Sequence, residues 1–556
     1  MRLRKLSIRN FRGIKSLDWH ISKDFTLLVG PCDSTKSTIL DAIELALLPR
    51  WQVNLDDSDF YLGDVAKPIT IEVVISDVPS ELKNEAKFGL DLSGWDQQTA
   101  TVTDLEENLE EVMVLRFTTD ESLEPQWLVI SGRNPEGRNI AFRDREAFGL
   151  TRLGSGTDRQ FTWGRGSLLS RLTESSSHRR LLAESARAAR GAFQTDTCPG
   201  LKESVDKVSV LVQKVGLQIK NGLPGLDPSA VNLNSGAIAL HQEGIPFRRV
   251  GLGSRMLFLV ALQRELSNQG AVTIIDEVEC GLEPYRLRNV LRILAEEKSC
   301  TVATSHSPIA LQELGAKHIE IVRSTEGKTI VTSVPEQLQS TVQKSAEAFL
   351  SRRILVCEGM TELGFCRGLD DIRWSEVKRG LAYSGVSLAD GRGDEAPIIA
   401  THFSQLGYEV MLLADSDKDT KSLDIQLSNQ GVVVVRWEGG MSIEERIISD
   451  ISWNGILEIL AFAKATYGED TICDRISNDL GTNAAVLGKD PSHWLQNYTE
   501  VEIRSAIAKA AKAKKPGWFK MAEYAHHLAE ISLKNLTPDA STEKTLLRVT
   551  QWVTKT

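Results

Sequence analysis

The chain has 556 residues, with 65 Lys and Arg against 75 Asp and Glu and a formal net charge of −10. At 41% hydrophobic and 25% charged it is a globular composition too long for one ordinary core, so two or three domains are expected. These figures exclude a uniformly basic nucleic-acid-coating chain, and no apolar run reaches the length of a membrane-spanning helix. The N-terminal segment alternates charged and apolar residues and lacks the apolar stretch of a signal peptide. Its seven cysteines are scattered, with no C-x-x-C pair. A reduced, cytoplasmic location is expected, and a zinc site is not.

In chain order, residues 2–8 and 25–29 read as strands and 36–48 as a helix, with Ile39, Leu40, Ile43 and Leu47 on one face. Strand character continues through 69–76 and 112–130. Residues 165–222 read as an Arg/Ser-rich helical insertion. Between 131 and 190 twelve arginines face only six acids, a local excess that either meets phosphates or is a solvated helix face. Strands return near 271–275, 300–304 and 318–323, and a polar stretch at 325–345 reads as a linker. A second α/β unit opens at the strand 353–357 and continues through strands 409–414 and 432–435. Beyond about 447 it becomes mostly helical.

Gly30-Pro-Cys-Asp-Ser-Thr-Lys-Ser-Thr38 lies between a strand and a helix, as a phosphate loop does. Backbone N–H groups there curl round phosphate, Lys36 reaches the β/γ-phosphates, and the Ser37 hydroxyl binds Mg²⁺. Thr35 stands where the pattern has its second glycine. The alternative is a loop that now only shapes the fold. Residues 271–275 form an apolar strand ending in Asp276 and Glu277, which suit Mg²⁺ binding and polarisation of an attacking water. His306 follows the next strand, where ABC ATPases sense the γ-phosphate. Gly251-Leu-Gly-Ser254-Arg255 stands where such ATPases carry a signature motif that touches the other subunit's nucleotide, which implies a head-to-head dimer. Its alternative is an ordinary helix capped by Ser254. Ile8-Arg-Asn-Phe-Arg-Gly-Ile14 resembles the first hairpin of RecF-like and SMC-like ATPases.

In the second unit Glu358 ends a strand and Glu362 follows four residues later, while Asp415 and Asp417 follow another strand. Parallel strands converge on one edge, so these acids gather there. Carboxylates so placed repel unless metal neutralises them, and oxygen ligands suit Mg²⁺ or Mn²⁺. Two such ions about 3.5–4 Å apart activate water and stabilise a leaving oxygen of a phosphodiester. Ser442 and Glu444, chosen over Glu445, add a further acid, or else form a helix cap. Lys520 is the candidate basic residue to stabilise transition-state charge, the alternative being a solvated lysine, while His526 and His527 are read as helix residues rather than ligands.

This order of motifs resembles the OLD (overcoming lysogenization defect) nucleases, a family that includes the nuclease subunit of the Gabija anti-phage system. The resemblance implies an α/β fold: an ABC/SMC-like ATPase in two parts (1–165 and 226–340), a helical dimerisation insertion (166–225), and a Rossmann-like TOPRIM domain with helical additions (346–556). It implies ATP-regulated, metal-dependent cleavage of double-stranded DNA in defence against phage, by a homodimer or a higher homo-oligomer such as a tetramer, with a partner protein and no membrane. Carried over by position, Gly30, Lys36, Ser37, Asp276, Glu277 and His306 serve ATP. Glu358, Glu362, Asp415, Asp417 and Glu444 hold a two-metal Mg²⁺ or Mn²⁺ site, with the first four and Lys520 catalytic. Thr35, and Glu283-Pro284 where the family often has His-Pro, imply weak or absent ATP turnover. The competing reading is a DNA-bound SMC/RecF-like clamp or repair sensor with a non-cleaving TOPRIM domain. A topoisomerase would need a tyrosine in a DNA-gate domain and a bacterial-type primase a zinc ribbon, and neither is found.

Overall fold

The computed structural model describes residues 1–47, 49, 53–154, 157–164, 167–172, 178–192, 199–214, 238–267, 272–297, 299–513 and 517–555. They divide into two compact units. The first comprises Met1–Arg12, His20–Phe25 and Ser37–Ser305, and the second Gly13–Trp19, Thr26–Lys36 and His306–Thr556. No helix among the described residues is long and apolar enough to cross a membrane.

In the first unit the alternation of Arg2–Phe11 buries Leu3, Leu6 and Ile8. This strand pairs antiparallel with Ile69–Ser76, which pairs in turn with Glu110–Thr119. Ser93–Asp96 and Gln126–Ile130 add to the same antiparallel array. Thr151–Leu153, Thr273–Ile275 and Thr301–Thr304 form a parallel trio whose middle strand leads into Asp276 and Glu277. Its last two strands are wholly buried, with Thr273, Thr301 and Thr304 among their apolar residues. Among the described residues of the Arg/Ser-rich region run the helices Leu168–Leu172, His178–Ala192 and Pro199–Lys214. Residues 165–166 and 215–222, at the two ends of the expected insertion, lie outside the described residues.

In the second unit Phe25–Val29 runs parallel to Ile319–Thr325, which turns antiparallel into Lys328–Ser333. The expectation of a linker at 325–345 is therefore corrected. Gly327 adopts a φ of 77° and reverses the chain, Thr329 is buried, and the helix Gln339–Lys344 buries Val342. Polar composition hid a hairpin whose buried positions are few.

The same unit holds a four-stranded all-parallel sheet in the order Val386–Asp390, Arg353–Cys357, Glu409–Ala414, Val432–Arg436. The first of these strands was not expected, because Ser387 and Asp390 break its apolar character. Chain order and spatial order reverse across Arg353–Cys357, so the crevice between the C-terminal ends of that strand and Glu409–Ala414 is a topological switch point. At its other end the strand opens on a buried arginine. Arg353 donates to the carbonyls of Trp552 (2.7 Å), Val553 (3.1 Å) and Ser384 (2.9 Å). The terminal helix Ser541–Thr554 is thus tied to the first strand of the sheet.

Helices complete the unit round one apolar core that includes Trp437, Trp494 and Trp518. The helix Met360–Val377 lies directly on Ala522–Asn535. Gly364 allows this approach: a Cβ there would fall 2.6 Å from the Cα of Ala522 and inside contact with its carbonyl oxygen. Backbone cannot yield as a side chain does. Gly364→Ala is therefore expected to destabilise the protein by about 1–3 kcal/mol, read as a lowered midpoint in thermal unfolding. An unchanged melt would mean that the two helices separate freely.

Candidate functional site

The strand Phe25–Val29 delivers the chain to Gly30, and the helix Lys36–Leu47 begins six residues on. Gly30 has no room for a side chain, because a Cβ would clash with the Val322 carbonyl. Lys36 is buried and folded back on its own loop, donating to Pro31 O (2.9 Å), Gly30 O (3.1 Å) and Ser34 Oγ (3.0 Å). Thr35 adopts a φ of 67°, the left-handed region that a β-branched residue avoids. The strain, on the order of 1–3 kcal/mol, is offset locally. Thr35 Oγ1 donates to Ser34 O at 2.6 Å and lies 3.1 Å from Thr329 Oγ1. Its methyl group sits over Gly13, where a Cβ would be 3.1 Å away.

Ser37 opens the first helical turn and its hydroxyl donates to Asp276 Oδ1 at 3.1 Å. Thr304 Oγ1 donates to the same oxygen at 2.8 Å and accepts from the Glu277 amide at 2.8 Å. Glu277 itself is exposed, with a φ of 51°. The structure thus brings Ser37 and Asp276 together and adds Thr304, to which the sequence reading gave no role. It adds Arg152 as well, which reaches Asp276 Oδ2 at 3.3 Å, Glu44 at 2.5 Å and Asp41. Burial works against the Arg152 charge, but Glu44 and Asp41 outweigh it and its pKa is raised. His306 is exposed just ahead of the helix Pro308–Leu314.

Two further readings change here. Ser254 does not cap its helix, which starts at Leu252 and puts Ser254 inside the first turn. Arg255 in the same motif pairs with Asp158 at 2.6 Å. The arginine-rich region is not simply a basic face. Arg145 is buried over the Trp127 ring at 3.8 Å, where burial lowers its pKa to about 10, and Arg171 donates to Thr151 Oγ1 at 3.2 Å. Arg165, and the side chains of Arg159, Arg179 and Arg190, lie outside the described residues.

The carboxylates of the second unit gather at the switch point. Glu358 follows the strand Arg353–Cys357 and accepts from the Asp415 amide at 2.8 Å. Glu362 is buried in the first turn of Met360–Val377 and accepts from the Gly359 amide at 2.9 Å. Asp415 follows Glu409–Ala414 and accepts from the Ile443 amide at 2.9 Å. Glu444 is 0% exposed on the helix Ile443–Asp450, and its Oε2 has no hydrogen-bond partner. Two lysines offset this charge. Lys520 meets Glu444 Oε1 at 2.8 Å, and Lys512 meets Asp417 and Glu445 at 3.0 Å each.

The choice between Glu444 and Glu445 resolves into two separate roles. Ser442 and Glu445 form a reciprocal helix cap, with Ser442 N donating to Glu445 at 2.9 Å, while Glu444 turns into the acid cluster.

The electrostatics follow from this crowding. Burial first, then Glu444 and Glu358, push Asp415 up to about 7. Burial and the charges of Asp415 and Glu444 hold Glu362 well above the carboxylate range. Burial opposes the charge on Lys520, but Glu444 wins and raises its pKa. Among the described residues no three acids, histidines or cysteines stand ready-made as a metal shell. The donors are held instead by amides and lysines. Their chemistry nonetheless fits a hard divalent cation: all are oxygens, one buried oxygen is orphaned, and two acids would be relieved by neutralisation.

Sequence families match the chain in two places. Residues 1–113 match the family described as "AAA ATPase domain". Residues 157–311 match that described as "AAA domain, putative AbiEii toxin, Type IV TA system". The phosphate loop falls in the first stretch and Asp276, Glu277 and His306 in the second, so both motifs of the first 311 residues lie in ATPase-type sequence, and ATP is the ligand that such domains imply. No curated relative matches the chain. Among solved structures, the SMC head domain from Thermotoga maritima aligns at 17% identity over 60% of this chain and 100% of its own, with a TM-score of 0.30. An Smc head domain with an extended coiled coil, bound to the C-terminal domain of ScpA derived from Pyrococcus furiosus, aligns at 13% identity over 62% and 99%, with a TM-score of 0.35. The recombination mediator protein RecF aligns at 11% identity over 60% and 98%, with a TM-score of 0.34. Likeness at this level fixes neither fold nor function.

Lys512, Thr304 and Arg152 carried no sequence signal, since each sits in an ordinary helix or strand and acts only through folding. His526 and His527 lie on the helix Ala522–Asn535 and face Asp371 (3.2 Å) and Glu530 (3.3 Å).

Two outcomes test these local arrangements. Thr35→Val keeps the left-handed strain and loses the hydroxyl, so it should lose about 1 kcal/mol of stability, whereas Thr35→Gly trades strain against chain entropy and should stay near wild type. A valine variant more stable than the glycine variant in chemical denaturation would contradict this. For Asp415, the folded pKa lies above the unfolded one, so its contribution to stability is favourable at low pH and is lost as pH rises from about 4 to about 7. In EDTA, Asp415→Asn should therefore melt higher than wild type at pH 8, by roughly 2–4 °C for each kcal/mol relieved, and show a smaller gain at pH 5. An equal effect at both pH values would rule out charge repulsion as the cause.

Proposed function

We propose that this chain is an ATP-regulated, metal-dependent DNA endonuclease with a TOPRIM-like C-terminal domain, acting in the cytoplasm in anti-phage defence in the manner of the OLD nucleases. The observation that carries the reading is the gathering of Glu358, Glu362, Asp415 and Glu444 at a parallel-sheet switch point, with Asp415 pushed up to about 7. Such a cluster is unfavourable for folding alone and is the kind of environment that functional sites build. Glu358, Glu362, Asp415, Asp417 and Glu444 would hold Mg²⁺ or Mn²⁺, in a two-metal arrangement. When bound, these ions supply an activated water and neutralise charge on the phosphodiester. Lys520 would leave Glu444 to offset charge on the reacting phosphate. Lys512, released from Asp417, would meet the flanking DNA backbone.

In the ATPase-type part, Gly30, Lys36 and Ser37 would cradle ATP. Asp276 would hold its Mg²⁺ with Ser37, and Glu277 and His306 would attend the terminal phosphate. Hydrolysis would be weak or absent and binding would serve as the regulator. We place the active form as a homodimer or a tetramer on double-stranded DNA, joined by a partner protein of the defence system.

A second reading has one observation in its favour: Lys520 and Lys512 already close the acid cluster without metal. On that reading the chain is an SMC/RecF-like clamp or sensor that holds DNA without cutting it. One experiment separates the two. Purified protein with Mn²⁺ is expected to nick or linearise plasmid, and Glu358→Ala and Asp415→Ala variants to fall to background. Cleavage that is absent, or equal in the variants, would end the nuclease proposal, and ATP-modulated DNA binding without nicks would establish the clamp. Titrating ATP against wild type and Lys36→Ala reads the regulatory arm, since a response that survives Lys36→Ala cannot come from the phosphate loop.

A further inference from the structure

The carboxylates occupy one edge of the parallel sheet. The opposite edge, where its strands begin, borders a cavity of about 1000 Å³ within the second unit. Its wall carries five arginines and a lysine, with Asp33 and Glu409 as its acids. Neither Lys36 nor Ser37 is among the described residues that line it, although the outer turn of the phosphate loop, Pro31 to Ser34, is.

The cations fall into two groups. Arg353 is spent on backbone carbonyls, and Arg323 is stacked on Tyr408 at 3.7 Å, where burial lowers its pKa. These two build the floor. Arg352, Arg373 and Lys555 have no carboxylate partner among the described residues, and Arg379 contacts only the Tyr383 ring, at 5.3 Å. Four unpaired cations facing one concavity repel one another. In a chain with a ten-charge acidic excess such a local concentration of positive charge is unusual, and an anion seated between the cations would relieve their repulsion.

Size and shape narrow the anion. The volume is that of a small-molecule pocket, and duplex DNA, roughly 20 Å across, does not enter it. Arginine forks bind phosphate oxygens in pairs. Tyr383 is 68% exposed and offers a ring face on which a base can stack beside Arg379.

We propose that this cavity is a second anion site that binds a small polyphosphate, of the nucleoside-polyphosphate class, separately from the phosphate loop. Because Pro31 to Ser34 form part of its wall, an occupant touches the outside of the loop whose inside would hold ATP. The proposal does not depend on the acid cluster being a nuclease.

Calorimetric titration of the full chain with ATP, and separately with inorganic tripolyphosphate, tests it. Three proteins are compared: wild type, Lys36→Ala, and the double variant Arg352→Glu with Arg379→Glu. Both altered arginines are exposed, so the fold should be kept. A binding event that persists in Lys36→Ala and weakens at least about tenfold in the double variant is expected, with tripolyphosphate sharing it if phosphate dominates and ATP alone if the base contributes. Should the double variant melt early, hydrogen exchange on wild type and on Lys36→Ala decides instead, with ligand-induced protection expected at Arg352–Arg353 and Ala382–Gly385. A single event abolished by Lys36→Ala and indifferent to the arginines would overturn the proposal. So would a site that takes a ten-nucleotide single strand but neither ATP nor tripolyphosphate.

Discussion

Carboxylates gathered on one edge of a parallel sheet repel one another, and burial makes that repulsion strong by removing the water that would screen it. In the second unit the arrangement is forced by topology. Glu358 and Asp415 follow adjacent strands, and the cap of the helix Ile443–Asp450 turns Glu444 inward while Glu445 is held at the surface by Ser442. Backbone amides and two lysines take up part of the charge. What remains is carried as a raised proton affinity at Asp415 and Glu362. The site is therefore stable only when something positive is present, whether protons, lysines or metal.

The phosphate loop shows the same logic in backbone form. Thr35 holds a conformation that glycine would adopt freely, and Ser34, Thr329 and Gly13 surround it so that the conformation persists. A departure from the usual pattern is thus compatible with the usual loop shape. The lysine of this loop is already engaged by Gly30, Pro31 and Ser34, so a phosphate must compete with three oxygens of the protein for it.

Much of this could be read in advance where a residue's role is local. The strands 25–29, 353–357 and 409–414 announce themselves by apolar runs, and the acids that follow them are placed by the chain's direction alone. The pairing of Ser37 with Asp276 follows from motif order. What the sequence hid was of two kinds. The strands Val386–Asp390 and Lys328–Ser333 are half-polar because only one or two of their positions are buried, so their patterns fall below what periodicity detects. Lys512 and Arg152 act on partners 67 to 124 residues away and Thr304 on one 28 residues away across a helical crossover, distances at which only folding brings them together. Composition also misled: the arginines between 131 and 190 looked like a surface patch, yet Arg145 lies buried against Trp127.

The tie between Arg353 and the chain's last helix has a bearing on how the protein is made. Its guanidinium and the Trp552 carbonyl are 199 residues apart in sequence. At a ribosomal rate of about 5–20 residues per second, the strand that opens the sheet emerges roughly 10–40 s before the carbonyls that satisfy its buried cation. Until then Arg353 must stay in water, and the strand cannot settle into a dry core. Closure of the second unit round this strand therefore waits for the helix Ser541–Thr554, whichever of the other elements have already formed.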